Sequence, residues 1–148
     1  MNPVAVVVGG RQDAVDDDWG DVTAIVRLDE RFPADAVAGL EEFSHLEVVF
    51  VFDRVDESRI EVGARRPRGR EDWPLVGIFA QRAKGRPNRI GVSRCRLLRV
   101  DGRDLHVADL DAVDGTPVLD VKPWMQEFGP RGPVRQPAWA TELMSGYY

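Results

Sequence analysis

Cysteine occurs once in these 148 residues and histidine twice. A single cysteine closes no internal disulfide and builds no Cys-rich zinc site. His45 and His106 stand without a partner at metal-ligand spacing, so no metal is expected. No apolar run approaches the roughly 20 residues that span a bilayer. The opening Met1-Asn2-Pro3 lacks a basic start followed by an apolar stretch, so a cytoplasmic protein is expected, with no membrane partner. There is no G-x-S-x-G elbow, and Cys95 has no evident histidine partner in sequence, which leaves hydrolase chemistry unsupported. Gly9-Gly10-Arg11 follows an apolar run but lacks the rest of a dinucleotide-binding fingerprint, so a Rossmann domain is not expected. Asp16-Asp17-Asp18 has no further ligands at calcium-loop spacing and reads as a solvated acidic turn.

What the chain has is charge of two signs, kept apart. Thirteen basic and four acidic residues lie between Arg59 and Arg103, a net +9 in a chain whose total is −5, so the remainder carries −14. Arg82, Lys84, Arg86 and Arg89 share one short loop between two apolar runs, with Asn88 between them. Cations that crowded repel unless an anion meets them, which marks the band as a functional face. Arg65, Arg66, Arg68 and Arg70 form a second cluster, broken by Pro67 and Gly69. It could clasp phosphates or be a mobile basic loop, and the residues leave both open.

The apolar patterning is that of a mainly β chain. Strands are expected at Val4–Val8, Val22–Leu28, Leu46–Phe52, Val76–Ala80, Ile90–Val100, Leu105–Leu110 and Val118–Val121. Leu46–Phe52 is nearly all apolar, which predicts cover on both faces. Asp101-Gly102 between two runs signals a hairpin. Pro33–Leu40, Ala-rich with proline at its start, predicts a short helix, and Trp139–Met144 another after the proline-rich 130–137. Cys95, between Arg94 and Arg96, is expected inside. One domain over 1–148, with its core from about 4 to 123 and a tail with a short helix over 124–148, accommodates all of this as a small β-barrel or sandwich.

Three blocks, in order, carry a resemblance: Gly39-Leu40-Glu41-Glu42-Phe43-Ser44-His45-Leu46, the cationic block from Gly77 to Ser93, and Asp109 to Pro123 with its Asp114-Gly115-Thr116-Pro117 turn. Together they resemble the TsaA-like family, also called the YaeB or TrmO family. Its best-known members are S-adenosylmethionine-dependent methyltransferases of N6-threonylcarbamoyladenosine at position 37 of tRNA. The resemblance implies an all-β barrel, a homodimer and cofactor pockets near the subunit interface. It implies cofactor contacts from Asp53 and Arg54, from Arg82, from Val92, and from the turn Ala112, Val113, Asp114 and Gly115, with Arg11 and Gln12 in a looser match. Arg66, Arg68, Lys84, Arg86, Asn88 and Arg89 are the candidates for contact with tRNA, and no catalytic residue is assigned. The chain departs from the family pattern at Asp53, where many members carry histidine. It departs again at Gln81 and Arg89, where the better-known members have threonine and proline, so its substrate stays open between tRNA and a small molecule. A non-catalytic RNA-binding barrel is the reading from another class.

Overall fold

Alternation of small apolar and polar side chains sets the strands. In the computed structural model, which describes residues 1–148, these are β1 (Ala5–Val8), β2 (Thr23–Leu28), β3 (His45–Val51), β4 (Ala64–Arg65), β5 (Val76–Gly77), β6 (Ile90–Asp101), β7 (Asp104–Ala108) and β8 (Pro117–Pro123). A single α-helix, α1 (Ala138–Met144), follows them. Six strands close an antiparallel barrel in the order β1-β2-β7-β6-β3-β8, with β8 returning to β1. Closure leaves no unpaired edge in that sheet. β4 and β5 pair separately beside it.

The barrel is filled by the inward residues of each strand. Val7, Val26, Leu46, Val48, Phe50, Cys95, Leu105, Val107 and Val118 are all buried and form one cluster. Burying an aliphatic or aromatic side chain of this size contributes about 1.5–3 kcal/mol each. Ring packing sets one contact closely: Phe50 and Phe52 meet edge to face at 5.2 Å, directly over Gly91 on the facing strand. Cys95 lies inside as expected, and burial pushes its thiol up to about 12, so it is chemically quiet.

The fold departs from the sequence reading in three of the expected elements. β3 is not covered on both faces: Leu46, Val48 and Phe50 are buried, whereas Glu47, Val49 and Val51 on the other face are half-buried. An antiparallel barrel has one wet side, and here the apolar run merely reaches it. The helix expected over Pro33–Leu40 is two 3-10 turns, Ala34–Val37 and Leu40–Glu42, separated by Gly39 at φ 89°. Eight residues are too few to nucleate an isolated α-helix, and the glycine supplies the break.

The strand expected over Val76–Ala80 keeps only Val76–Gly77; Ile78–Ala80 curls into a 3-10 turn. Ile78 drops into the interior, and the buried Gln81 amide donates to Arg65 O and Val76 O, both at 3.0 Å, which holds the curl. The β6–β7 hairpin turns at Gly102-Arg103, with Asp101 facing Asp104 and Gly102 at φ 59°. The glycine is therefore the first residue of the two-residue loop, which makes Asp101 the last residue of the strand.

Candidate functional site

Opposite charges meet across the molecule. The acidic turn expected from Asp13 to Asp21 folds over the basic band: Arg68 makes a two-pronged pair with Asp17 at 2.7 and 2.9 Å, and Lys84 reaches Asp16 at 3.4 Å. Arg96 on β6 holds Asp109 at 2.7 Å and Asp21 at 2.6 Å, while Asp109 also accepts the Asp21 N–H at 2.7 Å. Arg11 donates to the carbonyls of Asp17, at 2.5 Å, and Asp18, and stacks over the buried Trp19 at 4.5 Å.

The Arg68 guanidinium holds the Asp17 carboxyl below the usual carboxylate range, as Arg96 does for Asp109. A depressed folded pKa gives stability that is present above the unfolded value and lost as pH falls through the folded one. Thermal melts should therefore show the midpoint falling between about pH 5 and pH 2. Arg96→Ala should flatten that fall, and an unchanged acid response in this variant would show the pair to be idle.

Other cations of the band are spent on backbone. Arg86 donates to Gln81 O and Arg89 to Val55 O, both at 2.9 Å, and Arg66 donates to Trp73 O at 2.5 Å. These bonds brace the 82–89 loop and the 66–73 turn. Of the six residues singled out for RNA, five hold partners inside the chain; the exposed Asn88 side chain makes no such bond. Long-range pairing of this kind leaves no local signal in sequence.

The residues implied as cofactor contacts, by contrast, come together. Arg54 donates to Gln12 O at 2.6 Å and to Asp114 O at 2.8 Å. Asp114 in turn accepts from Gly9 N at 2.8 Å and from the Gln12 amide at 3.3 Å, and donates its own N–H to Arg11 O at 2.7 Å. Gly115 N–H donates to Val7 O at 2.7 Å, at φ 84°, so the turn is pinned to β1. One network thus joins the Arg11-Gln12 loop, Arg54 and the 112–115 turn, in which Ala112 and Val113 are buried. Asp53, exposed beside Arg54, makes no side-chain bond.

Arg82 is exposed and spends one nitrogen on Val92 O at 2.8 Å. The rest of its fork is free, the arrangement that a carboxylate or phosphate meets with two parallel bonds. Next to Val92 on the inner face of β6 are Ser93 and Cys95, and the Asp111 charge reaches the Cys95 thiol. Ser93 Oγ and Asp111 Oδ1 are buried without a hydrogen-bond partner. A buried polar atom in that state costs about 1–3 kcal/mol, which marks both as groups that lack a partner. Sequence reasoning missed both residues, because nothing local marks an inward serine or a second aspartate as unpaired.

An apolar cavity of about 510 Å³ is elsewhere: it lies between the 34–42 turns and β8, lined by Val4, Leu28, Val37, Leu40, Phe43 and Val121 among others. No candidate contact lines it, and its rim is acidic, with Glu42 and Asp120. The surroundings of Val92 and Ser93 suit a charged ligand better, because Arg82 brings an open guanidinium there and Ser93 and Asp111 bring unpaired oxygens. No group of three or more His, Cys, Asp or Glu residues is placed to hold a metal ion. No helix is long and apolar enough to cross a membrane.

The closed antiparallel six-stranded barrel places the chain in the class of small β-barrel domains. Within that class, the family model of the tRNA-methyltransferase O N-terminal domain matches residues 12–129, and the chain belongs to this family. Similar proteins include a tRNA (adenine(37)-N6)-methyltransferase of Escherichia coli, 45% identical over 96 residues, covering 62% of this chain and 40% of that protein. A probable S-adenosyl-L-methionine-binding protein of Methanothermobacter thermautotrophicus is 38% identical, over 66% of this chain and 67% of its own length. Among solved structures, TrmO from Pseudomonas aeruginosa superposes with a TM-score of 0.75 at 26% identity, covering 94% of this chain and 60% of that one. The chain spans about a quarter of the length of mammalian relatives, 22% for the mouse tRNA (adenine(37)-N6)-methyltransferase and 26% for the human one. The barrel expected from the resemblance is the fold observed.

Proposed function

We propose that the chain is an S-adenosylmethionine-dependent methyltransferase of tRNA, acting in the cytoplasm as a homodimer. Its acceptor would be N6 of adenosine 37, in the threonylcarbamoyl-modified form. The observation that carries this reading is the single network joining Arg11-Gln12, Arg54 and Asp114-Gly115, with the open fork of Arg82 on Val92 completing the set the resemblance implied. Relatives named as tRNA (adenine(37)-N6)-methyltransferases and as S-adenosylmethionine-binding proteins support it.

The residues suit that cofactor. Arg82 would take its carboxylate, the 112–115 turn would offer backbone groups to the adenine edge, and the unpartnered Ser93 Oγ and Asp111 Oδ1 would take donors. Bound there, S-adenosylmethionine would supply a methyl group already activated by its sulfonium. The protein's part is to hold donor and acceptor in line and keep water out; alignment of this kind is worth about 7–11 kcal/mol of barrier. A homodimer is supported by exposed apolar side chains flanking the β4–β5 pair, Val62, Leu75 and Phe79, the last at 78%, and by the open Val92.

The test is to incubate the protein with labelled S-adenosylmethionine and threonylcarbamoylated tRNA, and to read the nucleosides by mass spectrometry. Methyl on adenosine 37 is expected. One observation favours a second reading: five of the six tRNA candidates are paired inside the chain, which suits a small-molecule acceptor. Cofactor binding with no label on tRNA would select it. Steeply salt-dependent RNA binding without cofactor affinity would select a passive RNA-binding barrel instead.

A further inference from the structure

The family match ends at residue 129, yet the chain returns to the candidate site after it. α1 docks through Glu142, whose carboxylate accepts from the Trp73 indole N–H at 2.8 Å. Beyond α1 the backbone is fixed to the acidic turn: Asp18 N–H donates to Gly146 O at 3.0 Å and Trp19 N–H to Tyr147 O at 2.7 Å. The absence of a side chain at Gly20 permits this, since a Cβ there would stand 2.7 Å from the Tyr148 carbonyl carbon. The same turn holds the Arg11 guanidinium, so tail and site share one support.

The tail delivers two rings to the site. Tyr147 and Tyr148 pack edge to face at 4.9 Å. The Tyr147 hydroxyl donates to Asp111 Oδ2, leaving Oδ1 of the same carboxylate buried and unpartnered. Tyr148 lies beside Ser93. Burial first, and then the Asp111 charge, push both phenols up, while the Arg82 charge pulls them down, so both charges act on the rings.

We infer that the segment Ala138–Tyr148 forms one wall of the candidate cofactor site, and that Tyr147 is a positioning residue whose hydroxyl fixes Asp111 so that its second oxygen meets a donor on the ligand. This rests on the cofactor reading above and adds to it a structural element outside the family domain. A carboxylate held by one oxygen presents the other in a set direction; a free one rotates and loses that advantage on binding.

The experiment is calorimetric titration of S-adenosylhomocysteine into the whole chain and into Tyr147→Phe, Asp111→Asn and the double variant, with melting temperatures alongside. Tyr147→Phe should weaken binding about tenfold in the wild-type background and less than about twofold once Asp111 is already asparagine. Equal loss in both backgrounds would reduce the tyrosine to tail docking, and affinity equal to wild type would reject its role altogether. Should Asp111→Asn not fold, the comparison is Arg27→Ala on β2, which loses the Arg27–Asp104 ion pair and so lowers stability away from the candidate site. Its affinity is expected within about twofold of wild type, and a loss matching that of Tyr147→Phe would overturn the inference. A wild-type chain that binds no S-adenosylhomocysteine would bring down the proposed function and this inference together, whereas binding that ignores Tyr147 brings down the inference alone.

Discussion

Replacing Arg82 by alanine should weaken cofactor binding about a hundredfold while leaving the fold almost untouched. The two parts of that expectation come from different observations. Arg82 is exposed and makes one bond inside the chain, to Val92 O, whose loss costs about 1 kcal/mol. The rest of its fork is uncommitted, and a charge-assisted bond to a carboxylate is worth about 1.5–3 kcal/mol, or roughly ten- to a hundredfold. Arg86 and Arg89 on the same loop give the contrast, since their guanidinium groups are spent on Gln81 O and Val55 O. Alanine at either should loosen the loop and lower the melting temperature more than it lowers affinity. Were the chain a passive RNA binder, Arg82→Ala would only shallow the salt dependence of RNA binding. Titration of S-adenosylhomocysteine, paired with a melt, reads both.

The second large effect is on stability. Gly91 lies opposite Phe50 on β3, and a Cβ built on it would sit 2.6 Å from two atoms of the Phe50 ring and 2.9 Å from Phe52. Phe50 is 1% exposed at the centre of the barrel and has nowhere to move. Gly91→Ala should therefore cost about 3 kcal/mol as an overpacked core does, lowering the melting temperature by roughly 6–12 °C for a chain of this size. Gly77 is the control: a Cβ there meets nothing within 4 Å and its φ is ordinary, so Gly77→Ala should be neutral within about 1 kcal/mol. Equal melts for the two variants would mean that the ring contact over Gly91 is not as described. Because Val92 follows Gly91 and carries the carbonyl that Arg82 grips, Gly91→Ala should also weaken the cofactor site.

Much of the barrel was legible because a strand with one wet face writes itself into sequence with period two. Ser93, Cys95 and their exposed neighbours Val92 and Arg94 show this on β6. What period two does not show is where a strand stops. Val76–Ala80 looks continuous, and only the Gln81 amide, buried across to Arg65 O, explains the curl after Gly77. Pro33–Leu40 has helical composition but is cut by Gly39 before an α-turn can propagate.

The candidate site divides in the same way. Of the contacts implied by the resemblance, Arg11, Gln12, Arg54 and Asp114 are drawn into one network, whereas Asp53, Arg82 and Val92 lie outside it. The charge band was visible, but its meaning was not, since Arg68 and Asp17 are 51 positions apart. Asp111 and Ser93 carried no mark in sequence. Nor did Tyr147 and Tyr148, which follow α1.

Arg82, the Asp114 turn and Tyr147 are proposed to hold S-adenosylmethionine together. A crystal structure grown with S-adenosylhomocysteine tests this most directly. The account predicts ligand density touching the Arg82 guanidinium and the 112–115 backbone, with Asp111 still held by Tyr147. Ligand density in the apolar cavity beside β8, or crystals that stay empty at millimolar ligand, would contradict it.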